Sequence, residues 1–140
     1  MVSVSIDRLD LTETTSKEDE SLRTRTAYPI SWESGAKNTA VVYFELQPGD
    51  HLGVHTHSAE ELAYVVEGEV EVTTEDEVKR LGPRSLAVVP AMARHDVRCV
   101  GDSTARCLGF FPSASVQSVY DCELDPGGER LQGTPVPDST

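Results

Sequence analysis

The sequence predicts an all-β protein, an antiparallel sandwich or barrel. Short β-type runs recur through the middle of the chain, Gly or Pro separates them, and no segment carries the roughly 3.6-residue apolar period of a helix. Regular short strands with turn punctuation belong to sandwiches and barrels.

Taken in order, residues 1–27 read as an N-terminal arm. Its stretch "LTETTSKEDESLRTRTA" is polar and aperiodic and is expected to be mobile, with one short strand nearby. The folded body is placed at residues 28–124. Strands are expected at "TAVVYFELQ" before Pro48-Gly49, then at "LAYVVEG", "EVEVTT" and "SLAVVP". Two more follow, "HDVRCV" before Gly101-Asp102 and "RCLGFF" before Pro112. In "EVEVTT", Glu69 and Glu71 alternate with Val70 and Val72, so one face of that strand is wet. "LAYVVE" and "LAVVP" are apolar on both faces, which calls for a second sheet or a partner chain over them. The tail, residues 125–140, holds three prolines and three glycines and is expected to be irregular.

A chain of 140 residues suits one domain with a core that needs no disulfides. The net charge of -12 makes nucleic acid and anionic membrane surfaces repulsive partners. No basic start leads into an apolar region, and no run approaches the ~18 apolar residues that would cross a bilayer, so a cytoplasmic location is expected. Cys99, Cys107 and Cys122 lack C-x-x-C spacing and read as reduced thiols.

The chemistry concentrates in "GDHLGVHTHSAEELAYVVEG", Gly49 to Gly68. Residues two apart on a strand point the same way, so His55 and His57 present both imidazoles to one face. On residues alone the pair is either a solvated polar face or half of a metal site. If the chain turns at Ser58-Ala59-Glu60 and re-enters the sheet, Glu61 can close on the same point. Two imidazoles and a carboxylate suit a catalytic first-row metal and leave coordination positions open. Alternation sends Glu60 to the opposite face as a surface charge.

The spacing Gly49, His55, His57, Glu61, Gly68 resembles the first motif of the cupin family. A second motif resembling the family's follows in "GPRSLAVVPAMARHDVRC", with Gly82, Pro90 and His95. Two positions depart from the pattern. Met92 stands where the family usually has a glycine, which would alter the turn presenting His95, and Cys99 stands where it often has asparagine. The resemblance covers residues 38–112. It implies a cupin-type double-stranded β-helix, a jelly-roll barrel, with one divalent transition metal held by His55, His57, Glu61 and His95. Fe(II) is favoured; Mn, Ni, Co, Cu and Zn fit the same ligands.

Other residues are candidates for the cavity wall. His51 shares strand parity with His55 and reaches the cavity mouth, unless it is a solvated histidine of the Pro-Gly turn. Cys99 and Cys107 flank "VGDSTAR" symmetrically, which would set them opposite each other in a hairpin, where a thiol beside the metal is a redox or soft-ligand element or else core filler. Tyr43 and Tyr64, with Phe44, Phe110 and Phe111, line either the cavity or the core. Trp32 packs over a barrel end or at a dimer interface.

The resemblance to small cupins, some similar to quercetin dioxygenases, implies oxygen-dependent oxidation of a small enolic or phenolic substrate. Two alternatives use the same site. One is non-redox Lewis-acid chemistry by an isomerase, cyclase or lyase, and the other is a module that binds a small ligand without turnover. A homodimer is expected from the doubly apolar strands.

Overall fold

The computed structural model describes residues 1–137. Strand-forming sequence dominates it, and twelve strands are arranged in two six-stranded sheets. In chain order they are β1 (Thr12–Ser16), β2 (Asp19–Ile30), β3 (Ala40–Leu46), β4 (His55–His57), β5 (Glu61–Glu67) and β6 (Val70–Thr74). Then follow β7 (Val78–Leu81), β8 (Leu86–Val89), β9 (His95–Cys99), β10 (Ala105–Phe111), β11 (Gln117–Leu124) and β12 (Glu129–Gly133). One sheet has the order β1-β2-β3-β10-β5-β8 and the other β12-β11-β4-β9-β6-β7. Paired strands run antiparallel, and successive strands often change sheet, the jelly-roll arrangement that the sequence predicts.

Alternation builds the core. Ala40, Val42, Phe44 and Leu46 of β3 face Val70 and Val72 of β6 and Val97 and Cys99 of β9 across the sandwich, joined by Ala105, Cys107 and Phe111 of β10. Each buried Val, Leu or Phe contributes about 1.5–3 kcal/mol over exposure to water. On the opposite face of the first sheet the same alternation leaves Leu62, Leu86, Val88 and Phe110 exposed in the single chain.

Three expectations are corrected. The polar segment 11–27 is no mobile arm: its alternating threonines form β1 and most of β2, with Thr14, Thr24 and Thr26 buried. Part of the tail is ordered as β12, paired with β11, and only residues 138–140 of it lie outside the described residues. Trp32 lies beside this segment, its indole Nε1 donating to the Pro135 carbonyl at 2.6 Å. Finally, β9 and β10 do not form a hairpin, because residues 100–104 carry the chain from one sheet to the other.

Among the described residues, no helix is long and apolar enough to cross a membrane.

Candidate metal centre

His55 and His57 sit at the two ends of the three-residue strand β4, with the half-buried Thr56 between them on the other face. Both rings therefore enter the interior. β9 pairs with β4 at His55↔His95, which brings the third imidazole alongside. The three residues are buried, and each offers a ring nitrogen lying within 4.8 Å of the other two. After Ser58 the chain crosses to the other sheet and starts β5 with Glu61, whose Oε1 is 3.5 Å from His57 Nε2 and 3.7 Å from His95 Nε2. The structure thus brings together all four residues expected as ligands.

The imidazoles are oriented from behind. His55 Nδ1 donates to the Gly53 carbonyl at 2.6 Å and His95 Nδ1 donates to the Ala93 carbonyl at 2.9 Å. A carbonyl only accepts, so Nδ1 carries a proton in both rings, and in the neutral ring of His55 this leaves Nε2 a free lone pair. His57 Nδ1 meets the Ser118 hydroxyl at 2.6 Å. Such outer partners orient the rings of metal-ligating histidines. The inner nitrogens are partnered unevenly. His55 Nε2 and His57 Nε2 are 3.2 Å apart, and His95 Nε2 is buried without any hydrogen-bond partner. A buried polar nitrogen without a partner is costly, and a cation among the rings would give it one.

Electrostatics agree with a cation site. Burial, with the neighbouring His95 and His57, pushes the His55 imidazolium well below its ordinary range, so the ring is neutral. Burial alone would raise the Glu61 carboxyl, but its interactions with His57 and His95 outweigh that and hold it at about 2. Room for this carboxylate comes from Gly109 of β10, where a Cβ would collide with Glu61 Oε2.

The turn before His95 is built without the glycine. Met92 adopts φ 64 in the left-handed region, and its N–H donates to the His57 carbonyl at 2.9 Å. The methionine therefore bears the strain that a glycine would avoid.

The other wall candidates fare differently. His51 is held away from the imidazoles: its Nδ1 lies 2.6 Å from Asp96 Oδ2 and its Nε2 2.7 Å from Asp19 Oδ2, a clamp joining β2 to β9. Tyr43 is buried on the outer face of the first sheet, where its hydroxyl donates to Glu45 and accepts from Arg106 Nε, both at 2.6 Å. Tyr64 borders a small apolar void beside Glu61, yet alternation sends its ring to the outer face with Leu62. Cys107 does line that void, and burial, with Glu61 and Cys99 adding to it, pushes its thiol up to about 12. Cys99 is buried core, its thiol donating to the Ser103 carbonyl at 3.3 Å. The Cys107 thiol is therefore no thiolate at neutral pH.

The residues that complete the site come from strands the sequence reading left irregular or unassigned. The space beside His55, His57 and Glu61 is bounded by Thr26 and Tyr28 of β2, Tyr120 of β11 and Gln132 of β12. Tyr120 stacks on His55 with ring centroids 4.6 Å apart and 16° between planes, and donates to Gln132 Oε1 at 3.2 Å. The period-2 pattern in "VQSVYDCEL" is the signal that would have found β11. Tyr28 and Gln132 carry no such local mark.

The family model for the cupin domain matches residues 42–111, which is 70 of the 140 residues. The chain belongs to the cupin family. The matched span contains all four candidate ligands and excludes β1, β2, β11 and β12. Among curated proteins this cupin is similar to the polyketide synthase CurC of Streptomyces cyaneus, at 38% identity over 64 residues. That match spans 45% of this chain and 42% of the relative. Among solved structures it resembles the polyketide cyclase RemF from Streptomyces resistomycificus, with a TM-score of 0.65 at 22% identity over 99% of this chain and 88% of that one. A sugar phosphate isomerase from Silicibacter pomeroyi gives a TM-score of 0.68 at 17% identity, over 95% and 92% of the two chains. The Bacillus subtilis oxalate decarboxylase, described with Mn(II) centres, gives 0.62 at 19% identity over 71% of this chain and 28% of that one. At these identities the structural likenesses show the fold alone.

Proposed function

We propose that this cupin is a metal-dependent enzyme of the cyclase type, acting on a neutral, oxygen-rich substrate of the poly-β-ketone class. The observation that carries this reading is the lining of the space beside the ligands. Apart from His55, His57 and Glu61, it is made of Thr26, Tyr28, Val42, Phe44, Leu52, Tyr120 and Gln132, with no lysine or arginine. A sugar phosphate or a small dicarboxylate would find no basic side chain there, whereas ketone and hydroxyl oxygens would find neutral partners. The likeness to CurC and the whole-length likeness to RemF point the same way.

A divalent first-row cation held by His55, His57, His95 and Glu61 would supply Lewis acidity toward a substrate carbonyl. The protein's own part is orientation and exclusion. The Nδ1 bonds of His55 and His95 fix their rings, and burial keeps His55 uncharged. A carboxyl held at about 2 is a poor base near neutrality, which suits Glu61 as a ligand. The phenols of Tyr28 and Tyr120 are both pushed up, chiefly by burial, and stay protonated as hydrogen-bond donors. Val42, Phe44 and Leu52 keep bulk water out. In this reading a second copy covers the exposed Leu62, Leu86, Val88 and Phe110, forming a homodimer.

Oxygen-dependent oxidation, the first expectation from the sequence, would use the same ligands with iron, so one experiment separates the two. Protein purified anaerobically is assayed for metal, then incubated with a synthetic triketone while oxygen uptake and product mass are followed. Bound metal and loss of water from the substrate without oxygen uptake support the cyclase. Substrate-dependent oxygen uptake, or protein that takes up no metal, overturns it.

A further inference from the structure

The chamber beside the imidazoles has a volume of only about 20 Å³. That is room for about one water-sized group. It shares Thr26, Tyr28 and Gln132 with an outer pocket of about 470 Å³, which is also lined by residues of the N-terminal segment such as Leu9 and Thr12. The outer pocket has the size of a small-molecule site. Its single charged lining residue is Asp10. Tyr28, Thr26 and Gln132 therefore form a polar neck between a body-sized pocket and a one-group chamber. The neck is braced: Gln132 Nε2 donates to Thr14 Oγ1 at 3.1 Å, and Gln132 Oε1 accepts from Tyr120.

A second opening competes with this one. A cleft of about 700 Å³ lies between the edge strands β7 and β8 and includes Leu81, Leu86 and Met92. It approaches the centre through the void containing Val72, Leu81 and Val89, which reaches Glu61 but neither His55 nor His57. That void is apolar and as small as the inner chamber, at about 20 Å³. A ketone oxygen passing through it would shed its water with no partner gained.

We infer that substrate enters and is read at the Tyr28–Gln132 neck, built by strands β2 and β12 outside the family match. Resting on the functional reading above, the inference adds where the ligand sits and what it must be. It is an uncharged molecule that inserts one edge oxygen toward the histidines and leaves its body in the outer pocket. Tyr28, Thr26 and Gln132 are then specificity-determining residues, with Tyr28 and Gln132 hydrogen-bonding the substrate's oxygens.

The test uses benzoylacetone, an uncharged 1,3-diketone, titrated into full-length protein loaded with zinc and, separately, left metal-free. Amide shifts are mapped by NMR, and affinity is measured by calorimetry. The expected result is perturbation centred on Tyr28, Gln132 and Gly133. Tyr28→Phe should weaken binding about fivefold to tenfold, in line with one lost hydrogen bond. Gln132→Trp should weaken it at least tenfold, and Leu81→Trp should leave it within about twofold, with zinc content equal in all variants. Shifts centred on Leu81, Leu86 and Met92, or binding lost only in Leu81→Trp, would overturn the neck assignment. Failure of the wild type to hold zinc would count against the metal reading instead, and the metal-free titration still reports which opening the diketone uses.

Discussion

Gly109 of β10 lies where a Cβ would overlap Glu61 Oε2 and stand 2.8 Å from Val42 Cγ1. The absent side chain is what admits the carboxylate to the imidazoles. Gly109→Ala should therefore displace Glu61, lower metal affinity by about tenfold or more, and cost about 1–3 kcal/mol through overpacking. Metal titration and thermal unfolding of the variant check both parts. Unchanged affinity would show that Glu61 is not a ligand.

Removing an imidazole separates site from fold. His57→Ala should lose most bound metal while keeping the far-ultraviolet circular dichroism of the parent, because the core is built by Val, Leu and Phe from both sheets. Ser118→Ala should keep the metal but bind it about 10–100-fold more weakly, since only the orientation of His57 is loosened. A variant of His57 that purifies fully loaded would contradict the ligand assignment.

Met92 bears backbone strain without the compensation of burial, being 63% exposed with φ 64. Met92→Gly should stabilise the protein by about 0.5–1 kcal/mol, the left-handed penalty of a non-glycine residue exceeding the added chain entropy. Chemical denaturation measures this. Metal affinity should stay the same, because the N–H bond to His57 survives the change.

The Asp19 carboxyl is lowered to about 2 by hydrogen bonds from Ser21 and His51. A depressed folded-state value gives stability that is fully present above the unfolded value, near 4, and is lost as pH falls through about 2. Asp19→Asn should accordingly be less stable than the parent at pH 5–7 and indistinguishable from it near pH 2. Urea midpoints at the two ends of that range decide it, and an equal gap at both would refute the linkage.

The four ligands were legible because they are spaced locally. His55 and His57 share one strand face, Glu61 follows after one turn, and His95 sits beside a recognisable Gly and Pro pattern. Tyr28, Tyr120 and Gln132 were not, because nothing local ties them together; they meet only when β2, β11 and β12 are placed. The segment that forms β1 and β2 read as irregular because Thr and Arg alternate there with few large apolar residues, and buried threonines mimic a solvated strand. His51, by contrast, shared the parity of His55 and still missed the centre, because the isolated bridges of residue 51 to Leu22 and Arg98 start a different path through the sheet. Parity along a chain holds only while the strand continues.

The brace at the neck joins Gln132 to Thr14 across 118 residues of sequence. Synthesis therefore makes the Thr14 half of this contact 118 residues before the Gln132 half. A nascent chain can already carry His55, His57, Glu61 and His95 while the wall opposite them does not yet exist. Until β12 is made, the neck lacks its Gln132 side and the brace to Thr14 cannot form.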